Sequence, residues 1–267
     1  MRGDQIQPQR FERKYFITER QAVHVRQFVA SHLVPDEHSQ DRADCAYPVD
    51  SIYLDSDELT TYWATVHCEK SRFKLRVRFY DDDPASPVFF EIKRRMNECI
   101  FKQRGAVQRR AAPMLVAGHL PEPRHLASAH RAAGHLVALQ KFCLLMSQLS
   151  AQPKVHVAYE RAAWVSPESN AVRVTIDQNV RGEKVQELRL RTRMAKPVFP
   201  FPGKLILELK FTNRFPDWFR DMVQHLNLIQ TGVPKYCGSV ADIGEERLGA
   251  PAAEASAARF AEVAKYC

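Results

Sequence analysis

The sequence predicts an α+β fold in which antiparallel strands form a β-barrel, with charged side chains in its lumen and helices packed outside. Two observations predict it. Five segments alternate charged and apolar residues with the period of two that a β-strand requires. Between them lie segments whose apolar residues recur at helical spacing, so helices are available to cover the apolar faces. If the strands close on themselves, the charged faces must line the interior.

The clearest strand pair lies within residues 72–93. Three cations alternate there with three apolar residues, and an Asp-rich break at 81–84, typical of a turn, leads to a second alternating run with Glu91 and Lys93. Three cations in a row repel one another unless an anion lies among them. This hairpin alone leaves a solvated face open as an alternative, but the same alternation on five strands favours an interior one. The five charged sets are Glu12/Lys14, Lys74/Arg76/Arg78, Glu91/Lys93, Arg173/Asp177 and Glu208/Lys210.

The remaining elements follow from periodicity and from helix and turn signals. Thr18 and Gln21 have the spacing of a capping box, so they predict the start of the first helix. The predicted strands are 10–17, 49–55, 72–80, 87–95, 154–165, 171–178, 185–193 and 205–211, with 100–108 as a strand or extended loop. The predicted helical regions are 19–33, 56–70, 109–150 and 215–229, and the predicted loops are 36–47, 197–203 and 234–237.

The 267-residue chain shows no internal repeat and no clear linker, so the sequence favours one domain over residues 1–249. Residues 250–267 are rich in alanine and are expected to form a weak helix or a disordered tail.

The positive charge of the chain is concentrated in one region. The formal net charge is +8, and residues 69–110 alone hold twelve Lys and Arg against six Asp and Glu. A local excess of this kind implies a polyanionic partner, which leaves nucleic acid, a phospholipid surface and small phosphorylated molecules open. Nucleic acid is the weaker alternative, because the basic strands lack the interleaved exposed aromatic residues of a stacking platform.

Several classes of protein are disfavoured by what the sequence lacks. Its six cysteines have neither C-x-x-C nor metal-finger spacing, which predicts reduced thiols and a cytoplasmic protein. The first residues have no apolar stretch, so no signal peptide is expected, and no window has the length of a membrane span. There is no Walker-type or Rossmann glycine motif.

A charged lumen is costly unless its cations are paired or bound to anions. A wet lumen that holds a polyphosphate would satisfy them. The carboxylates would then serve a divalent metal, because Mg²⁺ and Mn²⁺ prefer oxygen ligands and bridge phosphate oxygens.

As a set, nine short motifs resemble the VTC-type polyphosphate polymerase domain, a branch of the triphosphate tunnel metalloenzymes (the CYTH-like superfamily). They occur in the family's order: RFERKY at 10–15, SIYLD at 51–55, KLRVR at 74–78, FEIK at 90–93, KQRG at 102–105, YER at 159–161, VRVTID at 172–177, LELK at 207–210 and PKY at 234–236. The resemblance covers about residues 10–240. It implies an antiparallel eight-stranded tunnel that binds triphosphate, with Mn²⁺ or Mg²⁺ held by a glutamate.

Twelve residues are expected to have roles in the site, and for all of them except Lys74 the resemblance implies the role. The catalytic phosphate-holding set is Lys14, Arg76, Arg78, Lys93, Arg161 and Arg173; the further substrate-binding set is Lys74, Lys102, Lys210 and Lys235; the metal ligands are Glu208 and Glu91. Lys74 is expected near a mouth of the tunnel, and Arg94 and Arg95 are expected to face solvent. The row Arg189, Arg191 and Arg193 is left as either a further tunnel strand or an exposed basic face.

The activity that the resemblance implies is transfer of the γ-phosphoryl group of ATP to a growing polyphosphate chain. The expected partners are ATP, triphosphate and polyphosphate, and a membrane partner is left open. A tripolyphosphate or nucleoside triphosphate hydrolase is the alternative enzyme, and a non-catalytic polyphosphate-binding module is the third hypothesis. Hydrolytic relatives usually carry Glu-x-Glu-x-Lys on the first strand, whereas position 10 here is arginine, which leaves only Glu12 before Lys14 and argues mildly against two-metal hydrolysis.

Overall fold

The computed structural model describes residues 10–40, 45–97, 99–128, 132–167 and 171–249. The predicted tail at 250–267 lies outside them. The strands are β1 (Arg10–Ile17), β2 (Val34–Pro35), β3 (Ala46–Asp55), β4 (Ser71–Phe79), β5 (Val88–Met96), β6 (Cys99–Val107), β7 (Gln152–Val165), β8 (Val172–Lys184) and β9 (Leu205–Thr212). The helices are α1 (Glu19–Ala30), α2 (Thr60–Val66), α3 (Ala112–Val116), α4 (Ala132–Gln148), α5 (Asp217–His225) and α6 (Lys235–Ile243), and short 3-10 turns lie at Arg109–Ala111, Pro123–His125 and Glu245–Arg247.

One antiparallel sheet contains all the strands. Eight of them are hydrogen-bonded in the order β1-β9-β8-β7-β3-β4-β5-β6, and the short β2 pairs with the end of β7. The two edge strands, β1 and β6, approach with Cα atoms within 8 Å of each other. Among the described residues, no hydrogen-bonded ladder joins them. The fold is therefore α+β as predicted, but the sheet is curled rather than closed, so the prediction of a closed barrel is not met.

The outer face of the curled sheet is apolar and covered by helices, as the alternation predicts. α1 and α5 pack on β1, β8 and β9 through a cluster that includes Val25, Phe219 and Leu207. α3 and α4 pack on β4, β5 and β6 through a second cluster that includes Phe142 and Phe90, whose rings lie 4.9 Å apart. Burying these large apolar side chains is the main stabilising contribution of each layer. Both clusters leave the inner face of the sheet free for charged residues.

α6 covers part of the inner face, where the sequence predicted a loop at 234–237. Its residues Tyr236, Cys237 and Val240 join a cluster with inward side chains of β7 and β9, including Val157 and Ile206. The Tyr236 hydroxyl donates a 2.8 Å hydrogen bond to Asp55 and so fixes the start of the helix. The interior is therefore partly filled by a helix, and only the rest of it is open.

Two further predictions fail for local reasons. Residues 185–193 form no strand, because carboxylates capture backbone N–H groups around this segment: Asp82 accepts from Thr192, and Glu183 accepts from Ala195 and Lys196. Leu188 and Leu190 pack against the outer core, and the three arginines of the row 189/191/193 are exposed, so the exposed basic face is the one of the two alternatives that is observed. The predicted helix at 56–70 is only α2, since Leu59 and Cys68 have positive φ at either end.

Several smaller expectations have clear outcomes. The capping box of α1 forms, with the backbone N–H of Gln21 donating to the Thr18 hydroxyl and the backbone N–H of Thr18 donating to the Gln21 side chain. Of the segment 100–108, residues 100–107 belong to a strand, β6. Cys45, Cys99, Cys143 and Cys237 are not in a disulfide, but Cys68 is disulfide-bonded, so the expectation of reduced thiols fails at that position. In the described part of the chain, no helix has both the length and the apolarity needed to cross a membrane.

Candidate functional site

The concave face of the curled sheet encloses a cavity of about 890 Å³. All eight strands of the curl contribute side chains to its wall, together with Thr65 of α2 and the first residues of α6. Eleven of the twelve predicted site residues line it, and Glu91 is the exception. The period-two alternation therefore brings residues from seven strands and one helix to a single cavity.

Cations outnumber carboxylates in the cavity wall. Thirteen of the described Lys and Arg side chains line it, against four Asp and Glu. The cations are Lys14, Arg72, Lys74, Arg76, Arg78, Lys93, Arg95, Lys102, Arg104, Arg161, Arg173, Lys210 and Lys235, and the carboxylates are Glu12, Asp36, Glu37 and Glu208. Such a wall, enclosed by protein of low dielectric, concentrates a positive potential that attracts anions.

The register of β4, β5 and β6 arranges many of these charges in cross-strand rows. Residues paired across an antiparallel sheet share a face, and every second residue repeats it about 7 Å further along the strand. Three successive rows, taken from Glu91 towards the end of β5, are named here the Glu91 row, the lysine row and the outer row. These rows are Arg76–Glu91–Arg104, Lys74–Lys93–Lys102 and Arg72–Arg95–Ile100, respectively.

Glu91 lies behind the wall at the centre of its row. It is fully buried, and its oxygens lie 2.6 Å from Arg76 and from Lys102, 3.3 Å from Arg104 and 3.8 Å from Arg78. Burial opposes the charged form, but Arg76, Arg78 and Lys102 outweigh it and hold the pKa of Glu91 well below its usual range. Glu91 is therefore a buried anion that gathers four cavity cations.

Glu208 has a similar position on the opposite wall but faces the cavity. Its carboxylate oxygens lie 2.7 Å from Lys210, 3.2 Å from Lys14, 3.3 Å from Lys235 and 3.4 Å from Arg161. Burial opposes its charge, but the surrounding lysines hold the pKa of Glu208 well below its usual range. It remains ionised at any physiological pH.

Two further carboxylates orient cations around Glu208. Asp177 receives both Nε and Nη2 of Arg161, at 2.6 and 2.8 Å, and lies 2.5 Å from Lys235. Glu12 lies 2.9 Å from Lys14 and 3.7 Å from Lys93, which places β1 and β5 on facing sides of the gap in the curl. Lys235 begins α6, so the positive end of that helix dipole also opens on the cavity.

Arg76, Arg78 and Lys74 also donate to neutral side chains, and Arg173 pairs with a carboxylate. Arg76 donates to the Tyr53 hydroxyl at 3.1 Å, and Arg78 donates to Ser51 and Tyr159 at 3.1 and 3.2 Å. Arg173 pairs with Asp36 at 2.6 Å, and the Lys74 ammonium donates to Thr65 at 2.6 Å. These contacts fix the cations and leave other N–H groups of each guanidinium available to a ligand.

The crowding of cations changes the ionisation of two lysines. Glu12 favours the charged form of Lys93, but burial together with Lys14 and Lys210 outweighs it and lowers the pKa of Lys93 to about 7. Partial burial, with Arg78 and Arg76 nearby, lowers the pKa of Lys102 to about 7 despite its contact with Glu91. A polyanion in the cavity would restore the charge on both.

Some cavity residues were missed by the sequence analysis. Arg104 lies 3.3 Å from Glu91 and stacks over Phe89 at 3.4 Å, and it shares its parity on β6 with Lys102, which was a usable signal. Arg95 was expected to face solvent, yet it lines the cavity with the same parity as Glu91 and Lys93. Tyr53 and Tyr159 carry no charge, so alternation of charge could not single them out.

The described residues contain no group of three or more His, Cys, Asp or Glu side chains that could hold a metal ion by themselves. Glu12 and Glu208 do line the cavity together, and both contact the Lys14 ammonium. Two carboxylates are enough for Mg²⁺ or Mn²⁺ when phosphate oxygens and water supply the other ligands. The residues present thus fit a metal that binds together with a phosphate substrate.

Comparisons with known proteins give matches of two kinds, to solved structures and to a family profile. A solved structure of a Bacillus halodurans protein, named as a candidate adenylate cyclase, is similar to this chain at 11% identity over 85% of this chain and 94% of that chain, with a TM-score of 0.45. The PH1819 protein of Pyrococcus horikoshii OT3 shares 11% identity over 83% and 92% of the two chains, with a TM-score of 0.40. No curated protein matches the sequence significantly.

The sequence profile of the VTC domain matches residues 9–243, which include every strand of the curled sheet and every residue of the cavity wall. This match confirms the resemblance inferred from the nine motifs. The chain therefore belongs to the VTC domain family.

Proposed function

We propose that the protein is a metal-dependent phosphotransferase that uses ATP to extend inorganic polyphosphate. The observation that carries the proposal is the charge of the cavity. With Glu91 and Asp177 behind the wall included, thirteen basic side chains face six carboxylates, an excess of seven basic groups in an enclosed space. Enclosed cations without matching anions are costly, and a triphosphate or polyphosphate chain supplies several adjacent negative charges.

Apart from Lys74, we assign the individual residues the roles that the family resemblance implies. Arg76 and Arg78, with Lys14, Lys93, Arg161 and Arg173, would hold the transferred phosphoryl group and its neighbours, and Lys74, Lys102, Lys210 and Lys235 would bind the rest of the chain. Phosphoryl transfer needs in-line placement and charge neutralisation rather than covalent help from the protein. The attacking oxygen of a polyphosphate terminus is already ionised, so the transfer needs no general base.

Mg²⁺ or Mn²⁺ would be held by Glu208 with Glu12 and would neutralise charge on the phosphate oxygens. Glu91 fits this role less well, because it is fully buried and does not line the cavity, whereas Glu208 and Glu12 do. We therefore propose Glu91 as a positioning residue for Arg76, Lys102 and Arg104. Membership of the VTC domain family supports the reaction class, and the choice of synthesis over hydrolysis rests on the absence of a second glutamate at position 10.

The test is an assay of the products formed from ATP. The purified protein is incubated with ATP and Mn²⁺, and the products are resolved on a gel for long-chain polyphosphate and assayed for orthophosphate. Polyphosphate ladders support the proposal. Orthophosphate alone identifies a triphosphatase, and tight triphosphate binding without turnover identifies a binding module. The exposed-arginine variant Arg189→Ala serves as the control that must behave like the unmodified protein.

A further inference from the structure

The outer row lies beyond the twelve residues to which a role is assigned above. Arg72 and Arg95 are paired directly across β4 and β5, one step past Lys74 and Lys93, and both line the cavity. We propose that these two arginines form an outer subsite that binds a linear polyphosphate chain beyond its first three phosphates. The inference rests on the proposed function, because it concerns the same cavity and the same chemical class of ligand.

The first argument is the pairing itself. Like charges directly opposite each other on one face of a sheet repel, and this arrangement is destabilising unless an anion lies between or over them. The two side chains are only partly exposed, so water screens the repulsion incompletely. Burial, followed by the charge of Arg95, lowers the pKa of Arg72, which agrees with an uncompensated pair.

The second argument is the kind of partner that each guanidinium has. Arg72 donates to the backbone carbonyl of Glu69, and Arg95 donates to the backbone carbonyl of Asn97 at 2.8 Å. Over the described residues, neither forms an ion pair with a carboxylate, in contrast to Arg76, Arg104 and Arg161. A guanidinium has five N–H donors, so both retain donors for a ligand.

The third argument is length. From Arg78 to Arg72 the inward residues of β4 extend over six residue-to-residue steps, about 20 Å along the strand. A triphosphate occupies only part of that distance. A linear polyphosphate continues along it with negative charge at every phosphate, whereas the nucleoside of ATP would bring no charge to two arginines. The row therefore fits a longer polyanion better than it fits the other end of the nucleotide.

The test compares two ligands on one variant. In the double variant Arg72→Gln/Arg95→Gln, equilibrium dissociation constants are measured for tripolyphosphate and for size-fractionated long-chain polyphosphate at fixed ionic strength. We expect the affinity for the long chain to fall at least about tenfold, because two charge-assisted contacts are lost, and the affinity for tripolyphosphate to stay within about twofold. The matched control is Arg189→Gln/Arg191→Gln, which removes the same charge from an exposed segment and should change neither constant.

The other outcomes contradict the inference. An equal loss for both ligands would place the outer row in the triphosphate site, and no loss for either would remove it from the binding path. If the variant loses affinity only for a non-hydrolysable ATP analogue, titrated as a third ligand, the outer row is a nucleoside contact. If the unmodified protein binds tripolyphosphate and long chains equally and the variant does too, the inference fails while the proposed function stands. Failure of the unmodified protein to bind tripolyphosphate would instead overturn the proposed function.

Discussion

Glu91 offers the sharpest prediction, because its position separates an anchoring role from metal binding. Glu91→Gln keeps the size of the side chain and removes the only carboxylate that pairs with Arg76, Arg78, Lys102 and Arg104 among the described residues. Removing one partner of a buried ion pair costs about 3–5 kcal/mol. Since Glu91 is fully buried, we expect a loss near that range in the free energy of unfolding at neutral pH.

The assay is urea unfolding of the ligand-free protein at several pH values. Because the pKa of Glu91 is lowered in the folded protein, its contribution is present above the unfolded value of 4.5 and is lost as the pH falls below it. The difference between the two proteins should therefore be largest near neutral pH and should shrink in acid. The matched control is Glu187→Gln, whose partner Arg189 is exposed, and it should change stability by less than about 1 kcal/mol.

Two results would refute this reasoning. Stability equal to that of the unmodified protein would mean that the four cations do not depend on Glu91. A variant that is stable but needs a much higher Mn²⁺ concentration for turnover would return Glu91 to the metal site.

Three further predictions concern the ligand. Glu208→Gln should abolish metal-dependent turnover while the protein stays folded. Three of the cations around Glu208 retain an ion pair in this variant: Lys14 with Glu12, and Arg161 and Lys235 with Asp177. Unchanged turnover excludes Glu208 as a metal ligand. Arg76→Ala with Arg78→Ala should weaken tripolyphosphate binding about 100-fold or more in calorimetry, and a less stable variant with normal binding would make both residues structural. Binding of a non-hydrolysable ATP analogue at pH 8, where its terminal phosphate is ionised, should take up protons, because Lys93 and Lys102 have pKa values of about 7 in the free protein. The affinity for the analogue should then fall as the pH rises above 7. Calorimetry in buffers of different ionisation enthalpy measures the proton uptake, which should disappear when Lys93 and Lys102 are both replaced by arginine.

Much of the cavity could be predicted because a β-strand alternates its faces strictly. The parity of Lys14, Arg76 and Glu208 fixes which side of the sheet they share, and the sheet then brings them together. The alternation along a strand does not show how deeply an inward side chain is buried. Glu91 and Glu208 both point inward from their strands, but one lies under four cations and the other faces the cavity, a difference that depends on the lengths of neighbouring side chains.

Other features depend on contacts between distant segments. α6 contains Gly238 in its interior, which disfavours a helix when only the sequence is considered. Glycine is needed there because a Cβ atom at 238 would lie 2.7 Å from the Phe201 ring, which packs on the helix. The alternation at 185–193 is indistinguishable from that of a strand until Asp82 and Glu183 are seen to take the backbone N–H groups nearby.

The central claim is that the cations of the cavity bind the phosphates of the substrate. A crystal structure with a non-hydrolysable ATP analogue and Mn²⁺ tests it most directly. We predict phosphate oxygens within hydrogen-bond distance of Arg76, Arg78 and Lys14, with the metal between them and Glu208. Phosphates bound outside the cavity, in crystals whose cavity is open to solvent, would contradict the account.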